Sequence, residues 1–461
     1  MKKRVVIVGG GISGLSAAHC LCEFKRERKL DWDITVLEAG NRFGGVIETK
    51  MDNGFLFEDG PDCFLSEKPW AVDLCKRIGL AQELIETRKE ARRSFICRNG
   101  KLVPVPKGFY LTVPSEMSSF FATPLFSWRG KQRMACEMFI PARTEERDES
   151  VAAFIRRRFG REALERAGQP MIAGIYTGDA EKLSLAATLP RFRAMERDHG
   201  SLIRAVRERE ASGPRYHLFL SLRGGIGMMV QALVRAMPEA ALRTRAAVSK
   251  ISRDGVLWNV ELAGGGVLPA EAVCVAVPAP AAAVLLKEIA PDAASGLLQI
   301  PYESVATVNL VYRKDDVAVQ PGFGFVVPAV EKRKIVGCTF SNIKFPWRCP
   351  DDFLLIRAFV GGPGGRELIG LEDQALEDLV KQELREILGI EKDPVQSSIC
   401  RLPHSMPQYE VGHLERVQKI ETAVNRLPGL YVTGNAFRGV GIPDCIHAAE
   451  QTAEEIYRAL R

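Results

Sequence analysis

The turn that ends the first apolar run constrains this chain more than any other feature. Residues 4–14 read Arg-Val-Val-Ile-Val-Gly-Gly-Gly-Ile-Ser-Gly. Val5 to Val8 form a β-branched run, which suits a strand buried in a parallel sheet. Gly9, Gly11 and Gly14 follow at the spacing G-x-G-x-x-G. Beyond them, Ile12, Leu15, Ala18 and Cys22 share one helical face. Strand, glycine turn and helix are the context in which this spacing binds a dinucleotide. Gly9 makes the turn, Gly11 lets backbone approach a pyrophosphate, and Gly14 lets the helix pack on the strand. The free N–H groups at the helix start, around Ile12 and Ser13, and the helix dipole then hold the phosphates.

The fingerprint has a second half. Ile34 to Leu37 form another short apolar strand, and Glu38 ends it. An acid at that position accepts hydrogen bonds from a ribose diol. The gap from Gly14 to Glu38 is slightly long, and the charged stretch Lys25 to Asp33 reads as a surface loop that absorbs the surplus.

The sequence continues Glu38-Ala39-Gly40-Asn41-Arg42-Phe43-Gly44-Gly45-Val46. This segment resembles the FAD-binding extension of the flavin amine oxidase and protoporphyrinogen oxidase superfamily. The resemblance implies that Ala39, Arg42, Gly44 and Gly45 lie along the FAD pyrophosphate and ribityl chain. A guanidinium suits phosphate oxygens, and paired glycines permit close backbone approach. It further implies that Gly60, Pro61 and Asp62 bring backbone against the flavin and that Val248 lies where the backbone grips the adenine. Gly434, Val440, Gly441 and Ile442 return to the cofactor near the C-terminus. There the final helix, begun by Pro443, points its positive end at the flavin pyrimidine. Many relatives carry Asp where this chain has Asn435.

The chain has 461 residues, so two or three domains are expected. With 46% hydrophobic and 26% charged residues, it has the composition of a globular enzyme. The net charge of +6 permits anionic substrates or a membrane surface without demanding either. No basic-aromatic alternation suggests nucleic acid. The 11 cysteines include no C-x-x-C pair, which argues for reduced thiols rather than a disulfide framework or zinc site. No metal ligands are assigned. The start Met1-Lys2-Lys3-Arg4 imitates a signal peptide, but the glycines at 9–11 argue against one. The longest apolar stretch, Ala272 to Leu286, is broken by Pro278 and Pro280, so no membrane span is expected. Peripheral membrane contact stays open.

Along the chain, Glu48 to Phe57 reads as a hairpin turning at Asp52-Asn53-Gly54. From Pro69 to about Arg215 the pattern is mostly helical, with amphipathic segments Trp70 to Gly79 and Val151 to Arg166. The aromatic-rich stretch Lys101 to Trp128 between them reads as a packed surface loop, with contact to a membrane or cover for a substrate as the alternatives. A ribbon follows from Ala246 through Trp258 and Val267, and Glu271 to Pro278 returns to the nucleotide domain. Strands Ser304 to Tyr312, Gly322 to Val327, Lys334 to Phe340 and Phe353 to Val360, with a helix Asp373 to Leu388, suit a sheet covered by helices. The expected fold is α/β: a Rossmann-like FAD-binding domain, a mixed-sheet substrate domain and a mainly helical domain. The expected division is 1–68, 216–279 and 401–461 for FAD, 69–215 for the helical part, and 280–400 for substrate. No second dinucleotide fingerprint occurs, which reads as an oxidase or dehydrogenase without an NAD(P)H domain.

Four further motifs occur in order. They are Gly60-Pro61-Asp62-x-Phe64-Leu65-x-x-Lys68; Gly174-Ile175-Tyr176-x-Gly178-Asp179 with Leu183-Ser184-Leu185; His404-Ser405-Met406-Pro407-Gln408-Tyr409 with Gly412-His413; and Gly439 to Ile446. Together they resemble the porphyrinogen oxidases of haem synthesis, closest to the soluble branch from Gram-positive bacteria. The resemblance implies oxidation of coproporphyrinogen III, with protoporphyrinogen IX as the alternative. Hydride leaves a meso carbon for the flavin N5, O2 is the final acceptor, and no side chain need act as catalyst. Lys68 is the candidate propionate contact, and Ile175 and Tyr176 the candidate pocket wall. His404 and His413 read as structural. A flavin amine oxidase would share the cofactor frame but needs an amine-binding aromatic cage, which an aromatic content of 8% does not suggest. The same resemblance places the protein in the cytoplasm and leaves open a transient contact with the next haem-pathway enzyme.

Overall fold

A computed structural model describes residues 2–145, 147–211 and 219–461. The expected boundary at 215/216 lies outside the described residues. The first sheet is parallel and contains β1 (Lys3–Val8), β2 (Trp32–Leu37), β3 (Leu242–Arg243), β4 (Ala272–Val275) and β5 (Leu430–Val432). Its order is β3-β2-β1-β4-β5. Because side chains alternate across a strand, Val5 and Ile7 enter one core while Val6 and Val8 enter another on the opposite face. A sheet buried on both faces requires the continuous apolar run seen in the sequence. The strand order reverses between β1 and β4, and ligands bind at the carboxyl ends of the strands beside such a switch point.

Four helices matter for the site. They are α1 (Ile12–Glu27), α2 (Gln169–Tyr176), α3 (Gly227–Ala236) and α4 (Ile442–Leu460). On α4, Ile442, Ile446, Ala449, Ala453 and Ile456 are buried at three- and four-residue steps and face the core that α1 also fills. Each isoleucine buried this way stabilises the packing by about 2 kcal/mol. The antiparallel ribbon Val248–Asp254, Leu257–Leu262 and Val267–Ala270 covers the other face through Trp258, Ile251 and Val260.

A second sheet has seven strands, in the order Gln396–Pro407, Tyr302–Arg313, Phe353–Gly361, Gly337–Phe340, Gly324–Val326, Ser94–Arg98 and Lys101–Pro104. The helix Asp373–Leu388 covers it with Leu376, Val380, Leu384 and Ile387 and ends on the left-handed Gly389. Ser94–Arg98 joins this sheet by parallel pairing with Gly324–Val326, a contact between segments far apart in sequence. A helical region has its own aromatic core, including Phe154, Phe159 and Phe192, and packs on the second sheet through Ile96 and Val326.

The hairpin forms as expected, Thr49–Asp52 against Phe55–Glu58. Asn53 and Gly54 both sit at positive φ (50° and 81°) as a type I′ turn demands. Three expectations need correction. The stretch Lys25 to Asp33 is not all loop, because α1 runs on to Glu27 and β2 begins at Trp32. Its charged residues are the solvent face of the last helical turn. Val151 to Arg166 is not one helix either. The helix Val151–Phe159 stops at Gly160 (φ 93°) and resumes as a short turn leading into a π-turn, Leu164–Gly168. Lys101 to Trp128 is packed, with the rings of Phe109, Phe120 and Phe126 6.0–6.2 Å apart, but it is not a loop: it holds the strands Lys101–Pro104, Phe109–Tyr110 and Val113–Pro114 and the helix Met117–Ala122. All eleven cysteines are free thiols. Among the described residues, no helix is long and apolar enough to cross a membrane.

Candidate functional site

The glycine turn after β1 is held by short backbone bonds. Gly9 N–H donates to Leu37 O at 2.8 Å, and Gly44 N–H donates to Gly10 O at 2.8 Å. Gly11 and Gly44 form an isolated parallel bridge, so the loop containing Gly44 and Gly45 lies directly over the fingerprint. A Cβ on Gly14 would run into the Gly9 carbonyl, and one on Gly9 into the carbonyl of Ala276. A Cβ on Gly11 would meet no atom within 4 Å. Gly9 and Gly14 are thus demanded by packing, whereas Gly11 borders open space. Gly11 caps α1 with no side-chain bond and no acid in the first turn, so the helix-start amides of Ile12, Ser13 and Gly14 are available to an anion.

Glu38 follows β2 at the same edge. Its carboxylate accepts from Gly10 N–H at 2.8 Å and Gly40 N–H at 2.7 Å, which aims the half-buried group at the turn. Ala39 is exposed beside it. Arg245 N–H and Ala246 N–H donate to Gly40 O and Glu38 O, bringing the start of the ribbon, with half-buried Val248, alongside. Arg42 does not extend outward. Its guanidinium donates to the carbonyls of Gly45 at 2.7 Å and Ile47 at 3.1 Å and pairs with Glu48 at 3.0 Å, so it fastens the loop that covers the fingerprint.

At the far strand, Gly434 has φ 132°, and a Cβ on it would also meet nothing within 4 Å. Gly441 caps α4 without a side-chain bond. Val440 packs toward the helical core and Ile442 into the nucleotide core. Two uncapped helix starts and two glycines beside open space therefore meet the carboxyl edge of one parallel sheet. Those features fit a long dinucleotide with an anionic middle.

The loop Glu58 to Asp62 joins this edge to the second sheet. Gly60 is required, since a Cβ there would overlap the carbonyl of Val46. Arg357, only 3% exposed on its strand, donates to Gly60 O and to Asp59 O, the latter at 3.3 Å. Asp62 pairs with Lys344 at 2.9 Å, and Pro61 stands between these two anchors. Burial alone would raise the Asp62 carboxyl, but Lys344 and Arg357 hold it well below the usual carboxylate range. Burial pushes Glu58 up to about 7, against the opposing bonds from Thr49 and the Ile226 amide. Arg348, 2% exposed, donates to Ser221 Oγ at 2.6 Å and to the Leu222 carbonyl. Sequence reasoning missed Glu58, Lys344, Arg348 and Arg357 as parts of the site. The available signal was a charged residue inside an apolar run, as in Phe353-Leu-Leu-Ile-Arg357-Ala-Phe-Val360.

Lys68 lies at the start of α4, with Nζ 2.5 Å and 2.7 Å from the two carboxylate oxygens of Asp444. Tyr176 ends α2, is buried, and donates its hydroxyl to Thr188 O at 3.1 Å. Burial and then the Asp444 charge hold its phenol above its usual range. Ile175 beside it is 47% exposed. Gln408 Nε2 donates to Tyr176 O at 2.9 Å, and Tyr409 donates to Asn435 O, linking α2 to the strand end at Gly434. His413 is fully buried with Nε2 2.8 Å from Phe437 O, and burial lowers it to about 4, a structural setting.

The profile of the flavin-containing amine oxidoreductases matches residues 12–457. The chain belongs to that family. Within it, the chain is 36% identical over 454 residues to the coproporphyrinogen III oxidase of Bacillus subtilis, covering 96% of each chain. It is 29% identical over 480 residues to the chloroplastic protoporphyrinogen oxidase 1 of Arabidopsis thaliana, covering 98% of this chain and 87% of the other. A crystal structure from Exiguobacterium sp. superposes with a TM-score of 0.87 at 34% identity over 98% of both chains. The α/β fold and the porphyrinogen oxidase resemblance expected from sequence are thereby borne out. The cofactor of this oxidoreductase is FAD, and the open glycines and the free start of α1 are the features that would receive it.

Proposed function

We propose that the chain oxidises coproporphyrinogen III to coproporphyrin III. Six electrons leave in three two-electron steps, and three O2 become three H2O2. The observation that carries this reading is the 36% identity to the Bacillus subtilis coproporphyrinogen III oxidase over 96% of both chains. Protoporphyrinogen IX is the second reading, favoured by the full-length match to the plant enzyme.

In this reading Gly9, Gly11, Ile12, Ser13 and Gly14 receive the pyrophosphate, and Glu38 and Ala39 face the adenosine ribose. Val248 lies against the adenine. Gly44 and Gly45, fastened by Arg42, close over the phosphates. Gly60, Pro61 and Asp62 form the flavin-side loop, and Gly434, Val440, Gly441 and Ile442 complete the cradle. When bound, FAD supplies the hydride acceptor and passes electrons to O2. The protein's part is to hold the macrocycle and exclude water. Ile175 and Tyr176 wall the pocket, and Lys68 meets a propionate at its rim. Lys68 suits a carboxylate because its ammonium stays partly exposed on a flexible stem. The same reading places the reaction in the cytoplasm.

The test uses FAD-loaded protein. Under anaerobic mixing, coproporphyrinogen III should bleach the flavin band, and in air porphyrin fluorescence should grow. A higher kcat/KM on coproporphyrinogen III than on protoporphyrinogen IX supports the first reading, and the reverse order the second. Bleaching by amines but by neither porphyrinogen would overturn both.

A further inference from the structure

Lys68 is the candidate rim cation, yet both oxygens of one carboxylate already hold it. That carboxylate belongs to Asp444, in the first turn of α4. The side chain of Asp444 is 16% exposed and that of Lys68 38%, so the lysine faces the open side of the pair. The nearby acid Glu67 is taken by Arg191. Asp444 also folds back over its own turn. A Cβ on Gly439 would overlap the Asp444 carboxylate, and one on Gly441 would come within 3.1 Å of Oδ2. An anion in the first turn of α4 is favoured by the positive end of the helix whether or not Lys68 is present.

We propose that Asp444 is the resident counter-ion of Lys68 and that a substrate carboxylate displaces it when the porphyrinogen enters. This rests on the function proposed above. In the empty pocket the pair keeps the ammonium aimed at the rim without leaving a partly buried charge alone. On entry, a propionate takes Lys68, and the freed Asp444 charge stays on the helix start that already supports it. One carboxylate replaces another on Lys68 with no proton moved, and the added negative charge of the substrate leaves Asp444 ionised at the start of α4. Asp444 is then a positioning residue whose cost is competition. The substrate carboxylate that takes Lys68 must displace Asp444 from it, which sets a ceiling on affinity.

The test measures KM and kcat for coproporphyrinogen III with FAD-loaded wild type, Asp444→Asn, Asp444→Glu, Lys68→Gln and the Asp444→Asn/Lys68→Gln double variant. Removing the competitor should lower KM about fivefold, the scale of a half-exposed ion pair. Asp444→Glu should keep the wild-type KM. In the Lys68→Gln background the Asn substitution should change nothing, because the pair no longer exists. A merely structural Asp444 would raise KM or lower kcat when removed. An unchanged or raised KM in flavin-loaded Asp444→Asn, or an equal fall in the Lys68→Gln background, overturns the exchange. If Asp444→Asn does not retain FAD, Asp444→Ser is measured in its place. Failure of both uncharged variants to hold FAD assigns Asp444 to the fold of the turn and also overturns the exchange. A wild type that oxidises no porphyrinogen defeats the proposed function and this inference together. An active wild type with an unaltered KM ratio defeats this inference alone.

Discussion

Replacing Gly11 with alanine adds one methyl group at the start of α1. The residue has φ −72° and ψ 179°, a conformation alanine adopts freely. The added Cβ meets no atom within 4 Å. The apoprotein should therefore fold as before, or gain about 0.4–1 kcal/mol from a less flexible unfolded chain. Cofactor binding should behave oppositely. In the proposed placement the methyl occupies the space through which the pyrophosphate approaches the helix-start amides. Displacing the phosphates from two charge-assisted bonds, at about 1.5–3 kcal/mol each, forfeits about 3–6 kcal/mol. That weakens FAD binding roughly 10²- to 10⁴-fold. The measurement is a flavin fluorescence titration of deflavinated wild type and Gly11→Ala, paired with urea unfolding of the apoproteins. Gly14→Ala is the contrast, because its Cβ collides with the rigid Gly9 carbonyl and should lower apoprotein stability outright. An FAD affinity of Gly11→Ala within about threefold of wild type, under a kcal/mol of change, would refute the placement of the cofactor.

Two further outcomes are expected. Arg158 and Glu137 are both fully buried and bonded to each other, so Arg158→Met should cost about 3–5 kcal/mol in urea unfolding by stranding the carboxylate. A loss below about 1 kcal/mol would mean that Ser201 and the Leu202 amide satisfy Glu137 unaided. Glu58 has its carboxyl raised from 4.5 to about 7, so the folded state keeps a proton that the unfolded chain has lost across that window. Its contribution is complete below pH 4.5 and fades as pH rises to about 7, roughly 3 kcal/mol in all. Glu58→Gln should remove that slope, and parallel unfolding curves for the two proteins between pH 4.5 and 7 would contradict the assignment.

What the sequence disclosed was local. Val5 to Val8, Gly9, Gly11 and Gly14 announce strand, turn and helix because each requirement is met by its neighbours. Asn53-Gly54 announces the hairpin because both residues tolerate the positive φ that the turn imposes. Pro443 marks the start of α4 for the same kind of reason. What stayed hidden was long-range. Nothing near Ser94–Arg98 says that it will pair with Gly324–Val326. Lys68 reads in the sequence as a candidate propionate contact, but nothing near it announces Asp444, the partner 376 residues away. Arg42 was legible as a phosphate ligand, yet the carbonyls of its own loop claim the guanidinium. The helical end Lys25–Glu27 resembles a loop in sequence because a solvent-facing turn carries no apolar signal.

The buried charges around Glu58 to Asp62 follow from what that loop must do. A loop that presents backbone to a ligand cannot be covered by large side chains, so Gly60 packs directly on the Val46 carbonyl. Its own carbonyls then point into protein and need donors. Strand Phe353–Gly361 supplies them through Arg357, whose guanidinium reaches both Asp59 O and Gly60 O. A buried guanidinium in turn needs anions nearby, and Asp59 and Asp62 are there, each with its own cation, Lys50 at 2.6 Å and Lys344 at 2.9 Å. Such pairs contribute little net stability, because desolvating each ion offsets most of the attraction. An apolar seam would hold the two sheets together as well but would leave the loop free to slide. Directional bonds to Arg357 and Lys344 instead hold the loop in one position against the second sheet.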